Sequence, residues 1–366
     1  MANQESTAIS PYDRLRMFHP GWFGAVMGTA VVGLAANMNP GGVAALKGPL
    51  AVLAVAMVAL AYSLAVALGV PYVLRWVHHP DAAWRDLFHP VVGALYATFP
   101  AGILVLAVST SAVGPAVLPA SVVFWTVAVL ATMGSLLAFA FGVAFAYILF
   151  VTPGVGVETA NGGWFIPPVA NIIVPVVLMP IVPAVDAETA RLLLVAGYAA
   201  FGMGLLLFLM VASLLYDRLV YHPLPAAPLA PSLWIGLGPI GVGSLALIRL
   251  AQGGAQLWGD LNSVVNLLSA LVALALWGFG LWWLAAAALL LWRYLRSGGF
   301  PYGIGWWAFT FPVGAYAVDT LTLARVWQVA ALEWFGVALF LLLGLFWLVV
   351  TGRTVVGIRT GEAWRR

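Results

Sequence analysis

Apolar residues fall into ten long blocks separated by short polar or Pro/Gly-rich connections, at about 20–38, 48–76, 88–110, 117–150, 163–184, 188–216, 230–251, 261–294, 301–325 and 328–351. Each block approaches or exceeds the roughly 20 residues that cross about 30 Å of hydrocarbon as a helix. The pattern therefore predicts ten transmembrane helices, with both chain ends on one side of the membrane.

The odd-numbered blocks resemble one another. They read GWFGAVMGTA, ALYATFPAG, GWFIPPVAN, LWIGLGPIG and GWWAFTFPVG, each with an aromatic residue shortly before a Gly or Pro. The pairs are Trp22 and Gly28, Tyr96 and Pro100, Trp164 and Pro168, Trp234 and Pro239, and Trp307 and Pro312. Successive break positions lie 72, 68, 71 and 73 residues apart, which marks a repeat of one helical hairpin. Even-numbered blocks have no comparable mid-span proline and read as lipid-facing scaffold.

A proline inside a helix removes a backbone donor, so Pro312 is expected to leave the carbonyl of Ala308 without its helical partner. Lipid cannot replace that partner, and broken helices survive only where protein or a watery cavity surrounds them. Five parallel broken helices thus belong together. A quasi-five-fold arrangement, odd helices inside and even helices outside, meets that need and gives an axis that is a candidate pore. The competing reading is that these prolines and glycines serve close helix packing.

Composition agrees with a membrane protein: 64% of the 366 residues are hydrophobic and 7% charged, with mean hydropathy +1.05. The expected organisation is a polar N-terminal tail over 1–17 with no apolar signal core, one ten-helix pore domain over 18–352, and a basic C-terminal tail over 353–366. Without cysteine there is no thiolate metal site or disulfide. The net charge of +3 matters through its distribution. Arg14, Arg16, Arg75, Arg85, Arg218, Arg293, Arg296, Arg353, Arg359, Arg365 and Arg366 share the side of the termini, against Lys47, Arg191, Arg249 and Arg325 opposite. Eleven against four predicts cytoplasmic termini.

Few residues inside the spans carry chemistry. Asp319, seven residues beyond Pro312, is an intramembrane carboxylate and hence a candidate for proton coupling or gating. The favoured alternative is a structural pair with Arg249 or Arg325, in which deep charges neutralise one another. His19 and His89 stand in matching His-Pro pairs at the mouths of odd spans, either as pH sensors or, the favoured reading, as interfacial helix-start residues. No histidine pair has the mid-span spacing of haem ligation, and no Gly-x-Ser-x-Gly, HExxH or aspartate cluster supports a membrane-embedded enzyme. No metal, cofactor or nucleic-acid partner is expected. Scarce carboxylates and a basic rim favour anions.

HPGWFGAVMGTA, GWFIPPVAN, LWIGLGPIGVGS and above all GWWAFTFPVGAYA resemble the tellurite-resistance/dicarboxylate transporter family, across nearly the whole chain. That family includes a bacterial tellurite-resistance protein, fungal malate and sulfite permeases and the slow anion channel of plant guard cells. The resemblance implies five hairpins, a central pore lined by odd helices, a homotrimer with one pore per subunit, and residence in the cell's inner membrane. It also implies a pore-occluding phenylalanine in the ninth helix, which falls on Phe311, with Phe309 as fallback. A proline beside the ring would hold it across the lumen. The permeants implied are small anions: halide, nitrate, sulfite- or tellurite-type oxyanions, or C4-dicarboxylates such as malate. A proton-coupled dicarboxylate carrier using Asp319 is the alternative.

Overall fold

A computed structural model describes residues 10–364; the first nine residues of the expected N-terminal tail, and Arg365 and Arg366 of the basic C-terminal one, lie outside the described residues. Every regular element among the described residues is helical. In chain order the α-helices are α1 (Pro11–Arg16), α2 (Phe23–Asn37), α3 (Ala44–His78), α4 (Pro80–Leu87), α5 (Thr98–Val113), α6 (Ala120–Val151) and α7 (Ile166–Leu178). There follow α8 (Ala187–Tyr221), α9 (Leu237–Gly253), α10 (Ala255–Trp258), α11 (Asn262–Arg296), α12 (Phe311–Trp327) and α13 (Ala330–Thr360).

Each odd span is a composite. A 3-10 turn comes first, at Pro20–Trp22, Gly93–Ala97, Gly162–Phe165, Ala227–Gly236 and Ile304–Phe309, and an α-helix follows: α2, α5, α7, α9 and α12. The repeated aromatic residue sits in the 3-10 turn every time. Pro100, Pro168 and Pro239 are the third residues of their α-helices, and Pro312 is the second.

This corrects the expected mid-helix break. The first N–H groups of any α-helix lack an intrahelical acceptor, so a proline in that turn removes nothing, and its fixed φ favours the helix start. No α-helical ladder runs through Pro312 to be cut at Ala308, because the backbone before it is 3-10. Gly28 differs again: it lies within α2, where a Cβ would come 2.1 Å from Thr310 Oγ1 and 3.1 Å from the Trp307 ring. It is a close-approach glycine, not the counterpart of the four prolines.

Nine described stretches are long and apolar enough to cross a membrane, and all of them correspond to expected spans. The remaining one is divided at Thr310, leaving α12 with 17 residues behind its 3-10 turn. Even spans run longer than expected, α8 to Tyr221 and α13 to Thr360, so half of the expected C-terminal tail continues a helix. At the start of α8, Asp186 accepts hydrogen bonds from the backbone N–H groups of Glu188 and Thr189. The Thr189 hydroxyl, foremost, holds its carboxyl below the usual range.

Each composite span packs against the long helix that follows it: α2 on α3, α5 on α6, α7 on α8, α9 on α11, α12 on α13. The inner helices touch in sequence, α2 to α5, α5 to α7, α7 to α9, α9 to α12 and α12 back to α2. In the first four odd spans 78 to 89% of the apolar core is buried, against 17 to 28% in the even spans. Outer helices reach inward through polar contacts: Trp347 Nε1 donates to Thr29 Oγ1 at 3.0 Å, Trp277 Nε1 to Thr320 Oγ1 at 2.9 Å and Trp283 Nε1 to the Leu233 carbonyl at 2.9 Å. Such bonds are worth about 0.6 kcal/mol each in a membrane, so close packing does most of the holding. At Gly241 a Cβ would lie 2.8 Å from the Tyr316 backbone, a separation of α9 and α12 that only glycine permits.

Two of the arginines counted as topology signals are internal. Arg75 forms a buried ion pair with Asp86 and donates to Tyr96 Oη and the backbone carbonyls of Ala82 and Arg16, fastening α3 to α4. Arg218 is buried and donates to the Ala160 carbonyl.

Candidate functional site

Two cavities lie at opposite ends of the five inner helices, and all five spans contribute to each. The cavity at the helix N-termini is bounded by His19, Gly24 and Met27 of the first span, Leu95 and Thr98 of the second, and Asn161, Ile166 and Val169 of the third. Ser232 and Gly238 of the fourth and Trp307, Phe311 and Pro312 of the fifth complete it. The cavity at the C-termini, the roomier of the two, is bounded by Leu34 and Asn37, Val108 and Ser111, Val176 and Met179, Leu245, Arg249 and Gln252, and Val318 and Arg325. No Asp or Glu lines either one among the described residues.

The cavities stop about two helical turns apart. Met27 lines one and Leu34 the other; the same holds for Val169 and Val176, and for Gly238 and Leu245. Seven residues of helix span roughly 10 Å. At i, i+3 or i+4 along these faces come Val31, Ile173, Val242 and Ala315, all buried and apolar.

Phe311 opens α12 at the deep wall of the N-terminal cavity, 7% exposed. Its ring edge lies 3.7 Å from the position a Cβ would take on Gly238, at ordinary contact distance from α9. Phe309 lies elsewhere. Its ring joins Trp234, Phe300, Trp306 and, on α13, Phe346, at centroid distances of 5.2 to 6.3 Å, and it does not line the cavity.

The expected charge pair does not form. Asp319 is completely buried on α12, its Oδ1 accepting from Ser244 Oγ of α9 at 2.6 Å while its Oδ2 has no hydrogen-bond partner. Arg325 instead donates to the Met38 carbonyl and lies 3.4 Å from Glu333 Oε1. That carboxylate also accepts from the Gly41 N–H at 2.9 Å. Arg249 makes no ion pair with a described residue and lines the C-terminal cavity. Asp319 lies on the side of α12 that packs against α9, whereas Arg249 faces the cavity. Their side chains diverge for that reason.

The histidines cap turns. His19 Nδ1 accepts from the Gly21 N–H at 3.1 Å and the ring lines the N-terminal cavity. His89 Nδ1 accepts from the N–H groups of Val91 and Val92 at 3.2 and 3.3 Å; the ring is exposed and does not itself line the cavity, although Val91 does.

Several site residues were not singled out by sequence. Asn161 accepts from the Gly163 N–H at 2.8 Å, Thr98 Oγ1 donates to the Pro20 and Leu95 carbonyls, and Ser232 Oγ donates to the Leu229 carbonyl. Asn161 had a signal, a capping residue just before GGWF; Ser244 had none.

A sequence profile of the voltage-dependent anion channel family matches residues 17–355. An uncharacterised transporter of Methanocaldococcus jannaschii is 31% identical over 97% of this chain and 98% of its own length. A sulfite efflux pump of Trichophyton rubrum is 26% identical over 95% of this chain and 92% of its own. A malic acid transport protein of Schizosaccharomyces pombe is 21% identical over 62% of this chain and 53% of its own.

Proposed function

The chain belongs to the voltage-dependent anion channel family, a membrane protein of anion transport, and from that premise we propose that small anions pass along the axis of the five inner helices, with Phe311 as the plug. The observation that carries this reading is the pair of cavities, each bounded by all five odd spans and free of described carboxylates, facing one another across two turns of apolar helix. The cyclic order of inner-helix contacts supports a quasi-five-fold ring in this reading. An anion keeps its water in the C-terminal cavity, the roomier and more polar of the two; crossing the septum past Phe311, Val31, Ile173, Val242 and Ala315 means shedding it against apolar walls, which holds the resting path shut.

The permeants proposed are small inorganic oxyanions, halides and C4-dicarboxylates, in keeping with the names of the sulfite and malic acid relatives. The termini are cytoplasmic in this reading, which makes the N-terminal cavity the inner one. The test is electrogenic flux of chloride, nitrate, sulfite and malate through purified protein in liposomes. Phe311→Ala raises it on the order of tenfold or more, equivalent to about 1.4 kcal/mol or more off the barrier. A folded Phe311→Ala protein with unchanged flux refutes the plug, and Phe309→Ala serves as the control that leaves flux low.

The buried, half-partnered Asp319 favours a second reading, a proton-coupled carrier. Asp319→Asn then abolishes the dependence of malate uptake on external pH. Retained dependence leaves Asp319 as a packing residue bonded to Ser244.

A further inference from the structure

The C-terminal cavity differs from the N-terminal one in carrying arginines, and the two it carries are not equivalent. Arg325 is partnered by Glu333, itself held by the Gly41 N–H, and by the Met38 carbonyl. Arg249 has no hydrogen bond or ion pair with any described residue, yet it belongs to the face of α9 that lines the cavity with Leu245 and Gln252 at i−4 and i+3. Asn37 and Ser111 line the same space from α2 and α5. Asn37 spends its amide N–H₂ on the Ala112 carbonyl at 3.1 Å.

An arginine on a membrane helix ordinarily satisfies its five donors on a carboxylate, on backbone carbonyls or at the lipid headgroups. Arg249 takes none of the first two; its side chain is exposed and lines the open cavity at the C-terminal ends of the five inner helices. We propose that Arg249 is the anchor of an anion-binding site in the C-terminal cavity, selective for planar or trigonal oxyanions and carboxylates over halide. This deepens the transport reading and rests on it. The guanidinium fork presents two parallel N–H groups, matched to two oxygens of a carboxylate or sulfite; a spherical halide engages the charge without using the fork. Gln252, one turn on, adds an amide at the same wall. Arg325 contributes little net charge, because Glu333 offsets it, so the site holds one strong grip and releases its anion towards the septum or back to water.

The experiment uses planar-bilayer recordings in the Phe311→Ala background, with sulfite, malate and chloride titrated on each face in turn. Arg249→Gln raises the half-saturating concentration of sulfite and malate about tenfold from one face only, the loss of one charge-assisted contact. Chloride shifts by less, and Arg249→Lys restores the chloride value but not those of sulfite and malate. Equal shifts for all three anions, or no shift, overturn the proposal. Calorimetric titration of the detergent-solubilised wild type with malate and sulfite reads the site apart from conduction: binding lost in Arg249→Gln at unchanged melting temperature supports it, and binding retained overturns it. If Phe311→Ala passes no anion, the plug reading falls while calorimetry still decides this one. Conduction without any Arg249 effect removes this inference alone.

Discussion

At the scale of single residues, the chemistry near Phe311 is set by what its neighbours lack. Gly28 has no side chain because Thr310 and Trp307 occupy that volume, and Thr310 immediately precedes Phe311. Gly28→Ala therefore forces Thr310 aside and destabilises the fold by about 1–3 kcal/mol, as overpacking does. A melting curve in detergent checks this, and the double variant Gly28→Ala/Thr310→Gly recovers most of the loss. Asp319 illustrates what one sequence can hide. A lone carboxylate with two arginines at compatible depth reads as an ion pair, yet its partner is the Ser244 hydroxyl. Serine is common in membrane helices and carries no pairing signal; only the approach of α9 to α12, licensed by Gly241, brings the two together. Phe311 is singled out through the GWWAFTFPVG resemblance; its ring lines the N-terminal cavity, whereas that of Phe309 lies against α13.

At the scale of elements, the repeat of aromatic residue and proline was visible as spacing, while its geometry was not. Proline has one reading inside a helix and the opposite one in a first turn, and sequence does not say where the α-helix begins. The structure puts all four prolines at the start, after a 3-10 turn. Pro312→Ala should then cost less than about 1 kcal/mol, far below the roughly 3 kcal/mol of a helix-interior proline effect, and leave anion flux low. Chemical denaturation and flux assays read the two outcomes separately. The Arg75–Asp86 pair between α3 and α4 was also hidden, because an arginine near a span end is counted as a topology signal whether it faces phosphate or protein. Asp86→Asn leaves a buried guanidinium short of its counter-charge and costs about 3–5 kcal/mol, whereas Arg75→Met/Asp86→Leu, removing both charges, restores much of it. Lowered melting temperature in the single variant only is the expected result.

At the scale of the whole molecule, the cyclic order of contacts has a consequence for assembly. In the reading proposed here the path is enclosed by five spans of one chain, since among the described residues α12 returns to α2. The even helices, of whose apolar stretches only 17 to 28% is buried, are the surfaces left for lipid or for neighbouring subunits. If subunits associate as trimers, they do so through that outer layer, and each plug responds to its own subunit alone. Wild-type and Phe311→Ala chains co-expressed at known ratios should then give flux that rises in direct proportion to the variant fraction. Single-channel records should show independent openings of one size. A steep, threshold-like dependence on the variant fraction would mean that the outer layer couples the plugs, and that the ring of five helices is not a self-sufficient conducting unit.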